Sequence, residues 1–244
     1  MGRSKKPTFI DLFAGIGGFH LAMHDAGAEC VFVSEWDDKA RATYEHNFKE
    51  ISPKVFEVDA KTGEKPRFAG DITKQNPEQI DDFDILCGGF PCQPFSQAGL
   101  KKGLEETRGT LFFNIAEIIE AKKPAAFFLE NVRGLEKHMS GSIRTMEIIE
   151  TKLRDLGYTF DYDLVWASDF GVPQHRPRLF MYGFRDEANR AKFQKPQPVD
   201  LELTMSDIMG GEVPKTVGYT LRVGGKGSGL NDRRNWDTYL VDGS

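Results

Sequence analysis

A cysteine stands between two prolines in the glycine-rich stretch "GGFPCQPFSQAG", residues 88 to 99. The stretch follows the apolar run "FDILC", so Cys92 falls just past the carboxyl end of a predicted strand. The paired glycines allow close approach of a ligand, and Gln93 and Ser96 supply polar groups without burying a charge. A thiolate in such a loop is a candidate nucleophile, and a structural cysteine fits this position equally well.

Charged side chains follow two other apolar runs. The segment "FFLENVRGL" ends a predicted strand with Glu130 and Asn131, and "VPQHRPRLFMYGF" leads into another with Arg176 and Arg178. Addition of a nucleophile to a nitrogen heterocycle requires a thiolate, a carboxylic acid and a guanidinium, because the added charge on the ring must be neutralised. These three side-chain types stand at predicted strand ends here.

A glycine turn, "DLFAGIGG", follows the first apolar run. It matches the dinucleotide fingerprint GxGxxG only in part, because position 20 holds His20 instead of a third glycine. This departure argues against a nicotinamide dehydrogenase. Glu35 ends the second predicted strand, where a carboxylate accepts hydrogen bonds from ribose hydroxyls, and the adjacent Trp36 could stack on an adenine or simply cover the sheet edge.

Two aspartates add polar groups near the same predicted crevice. Asp71, in "FAGDIT", suits a contact to an adenine amine, and an N-cap or turn role is at least as common for this residue type. Asp84 opens the run "FDILC".

The elements that must position these residues alternate between short apolar runs and amphipathic stretches. Strands are predicted at "TFIDLF", "CVFVSE", "FDILC", "AAFFLEN", "DYDLVWA" and "RLFMYGF", and helices at 18–26, 37–47, 111–122 and 143–156. This order is typical of repeated βαβ units. It predicts a doubly wound α/β fold, a mostly parallel sheet with helices on both faces, whose ligands gather at the carboxyl ends of the strands.

Composition narrows the class of protein. The 244 residues contain three cysteines, Cys30, Cys87 and Cys92, which are expected to be thiols and not disulfides. Because Cys87 and Cys92 lack zinc-ligand spacing, no metal site is expected. No stretch approaches the roughly 18 apolar residues of a membrane span, and no secretion signal is seen, so a soluble, cytoplasmic protein with no membrane partner is expected.

The net charge of −5 argues against a protein that coats nucleic acid through its overall charge. A local basic segment nevertheless lies near the end of the sequence, interspersed with glycines. Its cations are Lys215, Arg222, Lys226, Arg233 and Arg234. A surface that contacts phosphates and a solvated polar loop are both compatible with this composition.

Taken together, the motifs resemble those of the DNA cytosine-5 methyltransferase family. Seven stretches occur in the family's order between residues 8 and 185: "DLFAGIGGF", "SEWD", "GDIT", "GGFPCQPFSQAG", "TRGTLFF", "LENVRGL" and "PQHRPRLFMYGFR". The resemblance implies a Rossmann-like methyltransferase fold and S-adenosylmethionine as cofactor. It also implies methylation of cytosine at C5 in duplex DNA.

The resemblance implies a role for each matching residue at the cofactor. Phe13, Gly15 and Gly17 would line its methionine end, Glu35 would hold the ribose, and Trp36 and Asp71 would bracket the adenine. The predicted set is completed by Ile72, Pro91 and Leu111. Leu111 opens the helix "LFFNIAEII" and could equally belong to the core.

At the base, the resemblance implies that Cys92 attacks C6 of a flipped-out cytosine. Glu130 would hydrogen-bond or protonate N3, and Arg178 would reach O2 with support from Arg176. A solvated charged loop is the alternative for the segment after Cys92. The predicted DNA contacts are Gln93, Ser96, Lys101, Lys102, Arg108, Arg222, Lys226, Arg233 and Arg234.

Two regions are expected: a catalytic domain that binds S-adenosylmethionine at 1–190, and a hinge with the start of a DNA recognition region at 191–244. The late arginine-containing and glycine-asparagine motifs of the family are not found in the sequence. Either a second chain supplies them, as in the split bacterial enzymes of restriction-modification systems, or this sequence is a piece of a longer chain; a second chain is the expectation adopted. The alternatives are methylation of tRNA and a non-catalytic regulatory subunit.

Overall fold

A computed structural model describes residues 6–91 and 111–219. Its strands, numbered in chain order, are β1 Thr8–Leu12, β2 Glu29–Ser34, β3 Phe68–Ala69, β4 Ile85–Gly88, β5 Ala126–Val132, β6 Met139–Ser140, β7 Ile143–Arg144, β8 Asp161–Trp166, β9 Gln174–His175, β10 Pro177–Phe184 and β11 Gly218–Tyr219. The α-helices of the described residues are α1 Gly18–Asp25, α2 Asp38–Phe48, α3 Leu111–Lys122, α4 Thr145–Asp155, α5 Glu187–Arg190 and α6 Met205–Met209.

Seven strands form the main sheet in the order β3-β2-β1-β4-β5-β10-β8. Strand β1 pairs in parallel with β2 and with β4, β2 pairs in parallel with β3, and β4 pairs in parallel with β5. Parallel strands place their carboxyl ends at one edge of the sheet. The residues that follow β1, β2, β3, β4 and β5 are therefore brought to the same edge.

The central strands are apolar because both faces of the sheet are covered. Phe9, Ile10 and Leu12 of β1 and Leu86 and Cys87 of β4 are fully buried.

Local signals fix the helix boundaries. Asp37 caps α2 by accepting a 2.8 Å hydrogen bond from the Ala40 amide. In α4, Met146, Ile149 and Leu153 recur at helical spacing and are all buried, so this face packs on the core.

The predicted mostly parallel α/β architecture is confirmed, and each of the six predicted strands is present. Two details of the prediction are wrong. Residues 143 and 144, expected to begin a helix, instead form β7, which pairs in an antiparallel arrangement with β6 across Gly141 at φ 64°. Strand β3, which comprises Phe68 and Ala69, was not predicted, because two residues carry no periodicity.

The chain divides into two compact units. The first comprises residues 1–162 and 180–193, and the second comprises 163–179 and 194–244. Within the second unit β9 and β11 pair in parallel, and a capping box at Thr204 and Asp207 begins α6. The predicted division into a catalytic domain and a recognition region stays a prediction.

Among the described residues no helix has the length and apolar character needed to cross a bilayer. In the same residues no group of three or more His, Cys, Asp or Glu side chains is arranged to hold a metal ion.

Candidate cofactor-binding and catalytic site

A pocket of about 440 Å³ lies in the first unit where the parallel strands end. Its walls are the last residue of β2, residues that follow β1, β2, β3 and β4, and the first residue of α3. They are Phe13, Ser34, Glu35, Trp36, Gly70, Asp71, Ile72, Thr73, Gly89, Pro91 and Leu111. The volume falls within the range of about 300–1,000 Å³ that is usual for small-molecule sites.

Seven of the nine residues predicted to bind the cofactor line this pocket: Phe13, Glu35, Trp36, Asp71, Ile72, Pro91 and Leu111. Four others that line it were not predicted. These are Ser34, Gly70, Thr73 and Gly89, each of which is next to a predicted residue or one position beyond it at a strand end. Their small side chains carry no distinctive chemistry, so only the strand-end position could have identified them.

Glu35 holds the floor of the pocket together. Its side chain is buried, with Oε2 accepting a 2.7 Å hydrogen bond from the Gly15 amide and Oε1 accepting a 2.9 Å bond from the Asp37 amide. Each carboxylate oxygen has a second lone pair, so these bonds leave acceptor capacity for hydroxyl donors of a ligand. One residue thus ties the glycine turn after β1 to the start of α2.

The glycine turn requires unusual backbone angles. Phe13, Gly15 and Gly17 all have positive φ, at 56°, 57° and 97°. Gly15 and Gly17 do not line the pocket. At Gly17 a Cβ would lie 2.0 Å from Cε2 of Phe48, so this glycine is required by packing as well as by its φ.

Asp71 has the N-cap role that was considered for it, while its contact with an adenine amine stays a prediction. As the N-cap of a short 3-10 turn it accepts a 3.0 Å bond from the Thr73 amide and a 2.8 Å bond from Thr73 Oγ1. These two hydrogen bonds lower the pKa of Asp71 below its ordinary value, and the bond from the Thr73 hydroxyl has the larger effect. Asp71 also lines the pocket, as does the largely exposed Trp36.

Glu130 and Asn131, at the end of β5, lie beside the loop that follows β4. A Cβ on Gly89 would be 3.4 Å from Glu130 Oε2, so the carboxylate lies against the Gly89 backbone. The buried Asn131 donates a 2.8 Å hydrogen bond from Nδ2 to the Phe90 carbonyl. The chain two residues before Cys92 is thus tied to the strand that carries Glu130.

The expectation that Asp84 lies near the ligand crevice is wrong. Asp84 Oδ2 accepts hydrogen bonds from the amide and the hydroxyl of Thr8, at 2.8 and 3.0 Å. Thr8 begins β1 and Asp84 precedes β4, so this contact lies at the amino ends of two parallel strands. Asp84 opens its strand, and that position placed it at the opposite edge from the pocket.

The two predicted arginines belong to the second unit. Arg176 follows β9, and its carbonyl accepts a 3.2 Å bond from the Ala167 amide. Arg178 lies in β10 and donates a 2.8 Å bond from Nη1 to the Pro177 carbonyl. Their contact with a base stays a prediction.

Several predicted residues lie outside the described part of the chain. They are Cys92, Gln93, Ser96, Lys101, Lys102, Arg108, Arg222, Lys226, Arg233 and Arg234. The other two cysteines, Cys30 and Cys87, are buried thiols whose pKa is raised above the ordinary value, chiefly by burial.

A buried polar cluster beneath the glycine turn was not predicted. His20 is fully buried, with Nδ1 2.6 Å from the Tyr44 hydroxyl and Nε2 3.0 Å from Ser52 Oγ. Burial lowers the pKa of His20 to about 4. The Tyr44 hydroxyl also donates a 3.4 Å bond to Oδ2 of the buried Asp11, whose pKa burial raises well above its ordinary value. The signal was the histidine that occupies the third glycine position.

Comparison with known proteins shows the family. The sequence model described as "C-5 cytosine-specific DNA methylase" matches residues 7–223. The type II methyltransferase M.HhaI of Haemophilus parahaemolyticus is 40% identical over 94% of the chain and 71% of its own length. M.HpaII of Haemophilus parainfluenzae is 48% identical over 84% of the chain, which spans 53% of that protein.

Two solved structures share the fold. DNMT2 of Spodoptera frugiperda, solved as a triple mutant, matches 85% of this chain and 61% of its own with a TM-score of 0.61 at 22% identity. A putative prophage DNA modification methyltransferase of E. coli covers 90% of this chain and 59% of its own with a TM-score of 0.58 at 23% identity. The family assignment indicated by the seven motifs is confirmed: the chain belongs to the C-5 cytosine-specific DNA methylase family.

Proposed function

We propose that this chain transfers a methyl group from S-adenosylmethionine to C5 of a cytosine in duplex DNA, through a covalent bond between Cys92 and the base. The observation that carries the proposal is that the pocket and the Glu130 carboxylate lie next to each other. The pocket at the strand ends is lined by Glu35, Trp36 and Asp71, and Gly89 in its wall lies against the Glu130 carboxylate. A cofactor pocket and a candidate acid therefore adjoin the loop that leads to Cys92.

The pocket residues suit a nucleoside cofactor. The Glu35 carboxylate has acceptor capacity for ribose hydroxyls, Trp36 offers an exposed aromatic face, and Asp71 offers a carboxylate acceptor for an amine. Phe13 lies on the β1 side of the pocket, where the methionine end is proposed to bind. S-adenosylmethionine, when bound, supplies the electrophilic methyl group.

The chain's own residues would activate the cytosine, which is a poor carbon nucleophile at C5. The Cys92 thiolate forms a bond to C6, and its electron pair moves the ring π electrons toward C5 and N3. Glu130 donates a hydrogen bond or a proton to N3, which removes the charge that builds up there, while Arg178, supported by Arg176, stabilises O2. C5 takes the methyl group, and S-adenosylhomocysteine is left as the by-product. A base then removes the C5 proton, the electron pair of that C–H bond forms the C5=C6 double bond, and the C6–S bond breaks with its electron pair returning to Cys92 as thiolate. Any proton given to N3 returns to Glu130.

Duplex DNA is the proposed substrate because the family model that matches the chain is one of DNA methylases. A base in a duplex must leave the stack before a thiol can reach C6. The 2.8 Å hydrogen bond from Asn131 to the Phe90 carbonyl ties the described residues just before Cys92 to the strand that carries Glu130. The alternatives, methylation of tRNA and a non-catalytic subunit, predict different products from the same protein.

The test uses labelled S-adenosylmethionine with either plasmid DNA of mixed sequence or bulk tRNA, and DNA carrying 5-fluorocytosine for trapping. We expect label in DNA and a covalent adduct with the wild type that is lost in Cys92→Ser. The adduct should be retained in the control Cys87→Ala, because the thiol of Cys87 is buried. Label in tRNA alone would favour the RNA alternative. Cofactor binding with neither product would favour the regulatory subunit. An adduct that survives Cys92→Ser would contradict the assigned nucleophile.

We further propose that a second chain covers the outer surface of α1. Ile16 is 64% exposed in the glycine turn and Leu21 is 53% exposed on the helix, so two large apolar side chains are open to solvent near the pocket. Co-expression of a partner that carries the family's late motifs should raise the affinity for S-adenosylmethionine, and Leu21→Ser should weaken that complex. Full sequence-specific turnover by the isolated chain, unchanged in Leu21→Ser, would contradict this proposal.

A further inference from the structure

Arg41 links the ends of two neighbouring strands of the main sheet. This half-buried residue of α2 donates from Nη1 to the Glu35 carbonyl at 2.9 Å and to the Ala69 carbonyl, and from Nη2 to the Phe68 carbonyl at 3.0 Å. Its guanidinium carbon lies 4.2 Å from the centre of the Phe68 ring. One side chain therefore binds three carbonyls from β3 and the residue that follows β2.

These two strands share only a short backbone ladder, which the Val33 amide begins by donating to the Arg67 carbonyl at 2.9 Å. Strand β3 has two residues, which pair with β2 only at Val33 with Phe68 and at Ser34 with Ala69. Beyond this short ladder, the carbonyls at the strand ends need other donors. The Glu35 amide donates to Ala69 at 3.1 Å, and Ser34 Oγ donates to Gly70 at 2.8 Å. Arg41 supplies the remaining donors.

The segments that leave these neighbouring strands both form walls of the pocket. Glu35 and Trp36 continue from β2, and Gly70 to Thr73 continue from β3. The distance between the walls is therefore set where Arg41 joins them. Arg41 itself does not line the pocket, so its influence on a ligand must pass through the backbone it holds.

The geometry requires arginine in particular. A guanidinium presents its N–H donors in a rigid planar fork and stacks on an aromatic ring, whereas the lysine ammonium is a point charge on a flexible stem. Lysine at this position would keep the charge but could not bond all three carbonyls and stack on Phe68 together.

We propose that Arg41 is a positioning residue for the cofactor pocket, which fixes the wall at Glu35 and Trp36 relative to the wall at Gly70 to Thr73. The inference rests on the proposed function for the identity of the ligand. The fixed spacing of the walls is a property of the chain without ligand.

The experiment first measures amide hydrogen exchange in the ligand-free protein. In Arg41→Met, exchange at the Glu35 amide, which bonds to the same Ala69 carbonyl, should accelerate by about tenfold or more. Arg154→Met is the matched control. Arg154 of α4 also donates to a backbone carbonyl, that of Phe160 at 3.1 Å, and neither of these residues lines the pocket. It should leave exchange at Glu35 unchanged.

Binding of S-adenosylhomocysteine is measured next, by calorimetry. We expect Arg41→Met to weaken affinity about tenfold and Arg41→Lys to recover only part of that loss, with both melting temperatures close to that of Arg154→Met. Wild-type protein that binds no S-adenosylhomocysteine would refute the proposed cofactor, while exchange at Glu35 would still decide the role of Arg41. Unchanged exchange in Arg41→Met, or an affinity within twofold of a wild type that binds, would overturn the inference.

Discussion

The Glu35 carboxylate and the Gly15 amide are joined by a 2.7 Å hydrogen bond between Oε2 and the backbone nitrogen. Residues 20 positions apart are thereby locked together at the floor of the pocket. The second oxygen is bound to the Asp37 amide at 2.9 Å, so the carboxylate has two backbone donors before any ligand arrives. Glu35 is therefore a structural residue of the pocket and a candidate ligand of the ribose at once.

Replacing Glu35 with Gln should weaken binding of S-adenosylmethionine by about 1.5–3 kcal/mol, as expected for charge-assisted hydrogen bonds. A glutamine has one oxygen and one NH₂ group, so it can accept from only one of the two amides and places a donor against the other. Calorimetric titration measures the affinity, and urea denaturation measures the accompanying loss of stability.

Glu29→Gln is the control for this substitution. Glu29 begins the same strand and forms a partly exposed ion pair with Lys54 at 3.1 Å, so its loss should change neither quantity by more than about 0.5 kcal/mol. Unchanged cofactor affinity in Glu35→Gln would mean that Glu35 serves the backbone alone.

Gly17 should tolerate alanine much less well than Gly15. Both have positive φ, so alanine at Gly15, where a Cβ would meet no atom within 4 Å, should cost roughly 1–2 kcal/mol of stability. At Gly17 the added Cβ would lie 2.0 Å from Phe48, whose ring is stacked on His20 with centroids 4.0 Å apart. We expect a loss of roughly 2–5 kcal/mol there.

Urea denaturation of both alanine variants measures the difference. The double variant Gly17→Ala/Phe48→Leu should recover part of the loss, because the smaller side chain leaves room for the Cβ. Equal losses at the two glycines would show that φ alone, and not the Phe48 contact, determines the cost.

The sheet was predictable because short, mostly apolar runs alternate with amphipathic stretches. The first two runs are followed directly by a glycine turn at Gly15 to Gly18 and by the carboxylate of Glu35. Parallel pairing then brought those ends to one edge, and the candidate cofactor residues with them. The short strand Phe68–Ala69 was not predictable, since it is held by pairing with β2 and by Arg41, which in sequence is one of many charged residues on a helix.

The partners of the buried polar residues could not be predicted from the sequence. His20 departs from a glycine motif, and nothing local indicates that Tyr44 and Ser52, 24 and 32 residues later, will supply its partners. For Asp84, the residue type suited the predicted crevice but the position in the sequence did not. Asp84 precedes β4, so it lies at the amino ends of the strands, at the edge of the sheet opposite the pocket.

The buried His20 should make stability depend on pH. Its pKa is lowered to about 4 in the folded protein by burial, from an ordinary value of 6.5. Between these values the unfolded chain binds a proton that the folded chain does not, so stability falls as pH drops from about 6.5 to about 4 and levels off below. Between pH 7 and pH 5 this residue should account for a loss of roughly 2 kcal/mol.

Urea denaturation of His20→Gln at both pH values should show a decline smaller than that of the wild type by this amount. Contributions of the carboxyl groups outside the His20, Tyr44 and Asp11 cluster are common to both proteins and cancel in the comparison. Asn47→Ala, an exposed change on α2 that removes no titratable group, should decline as the wild type does. If the free energy of unfolding fell by the same amount in His20→Gln as in the wild type between pH 7 and pH 5, His20 would not be the cause of the pH dependence.

Asp71 should select an amino group on the purine, and this selection can be separated from its role in the turn. In the wild type one carboxylate oxygen of Asp71 accepts both from the Thr73 amide at 3.0 Å and from the Thr73 hydroxyl at 2.8 Å. In Asp71→Asn the amide oxygen can accept the same two bonds, so the turn should be preserved. The second oxygen becomes an NH₂ donor, which faces the adenine amine unfavourably but suits the 6-oxo group of hypoxanthine. Affinity for S-adenosylhomocysteine should fall about tenfold, and affinity for S-inosylhomocysteine should hold or rise. Calorimetry with both ligands measures the ratio of the two affinities, which should become smaller.

Asp59→Asn is the matched control, because Asp59 accepts from the Lys61 and Thr62 amides at 2.8 and 3.0 Å in a similar turn and does not line the pocket. If Asp71→Asn kept the wild-type ratio of the two affinities, Asp71 would be a capping residue only, and purine selection would have to come from the backbone around it.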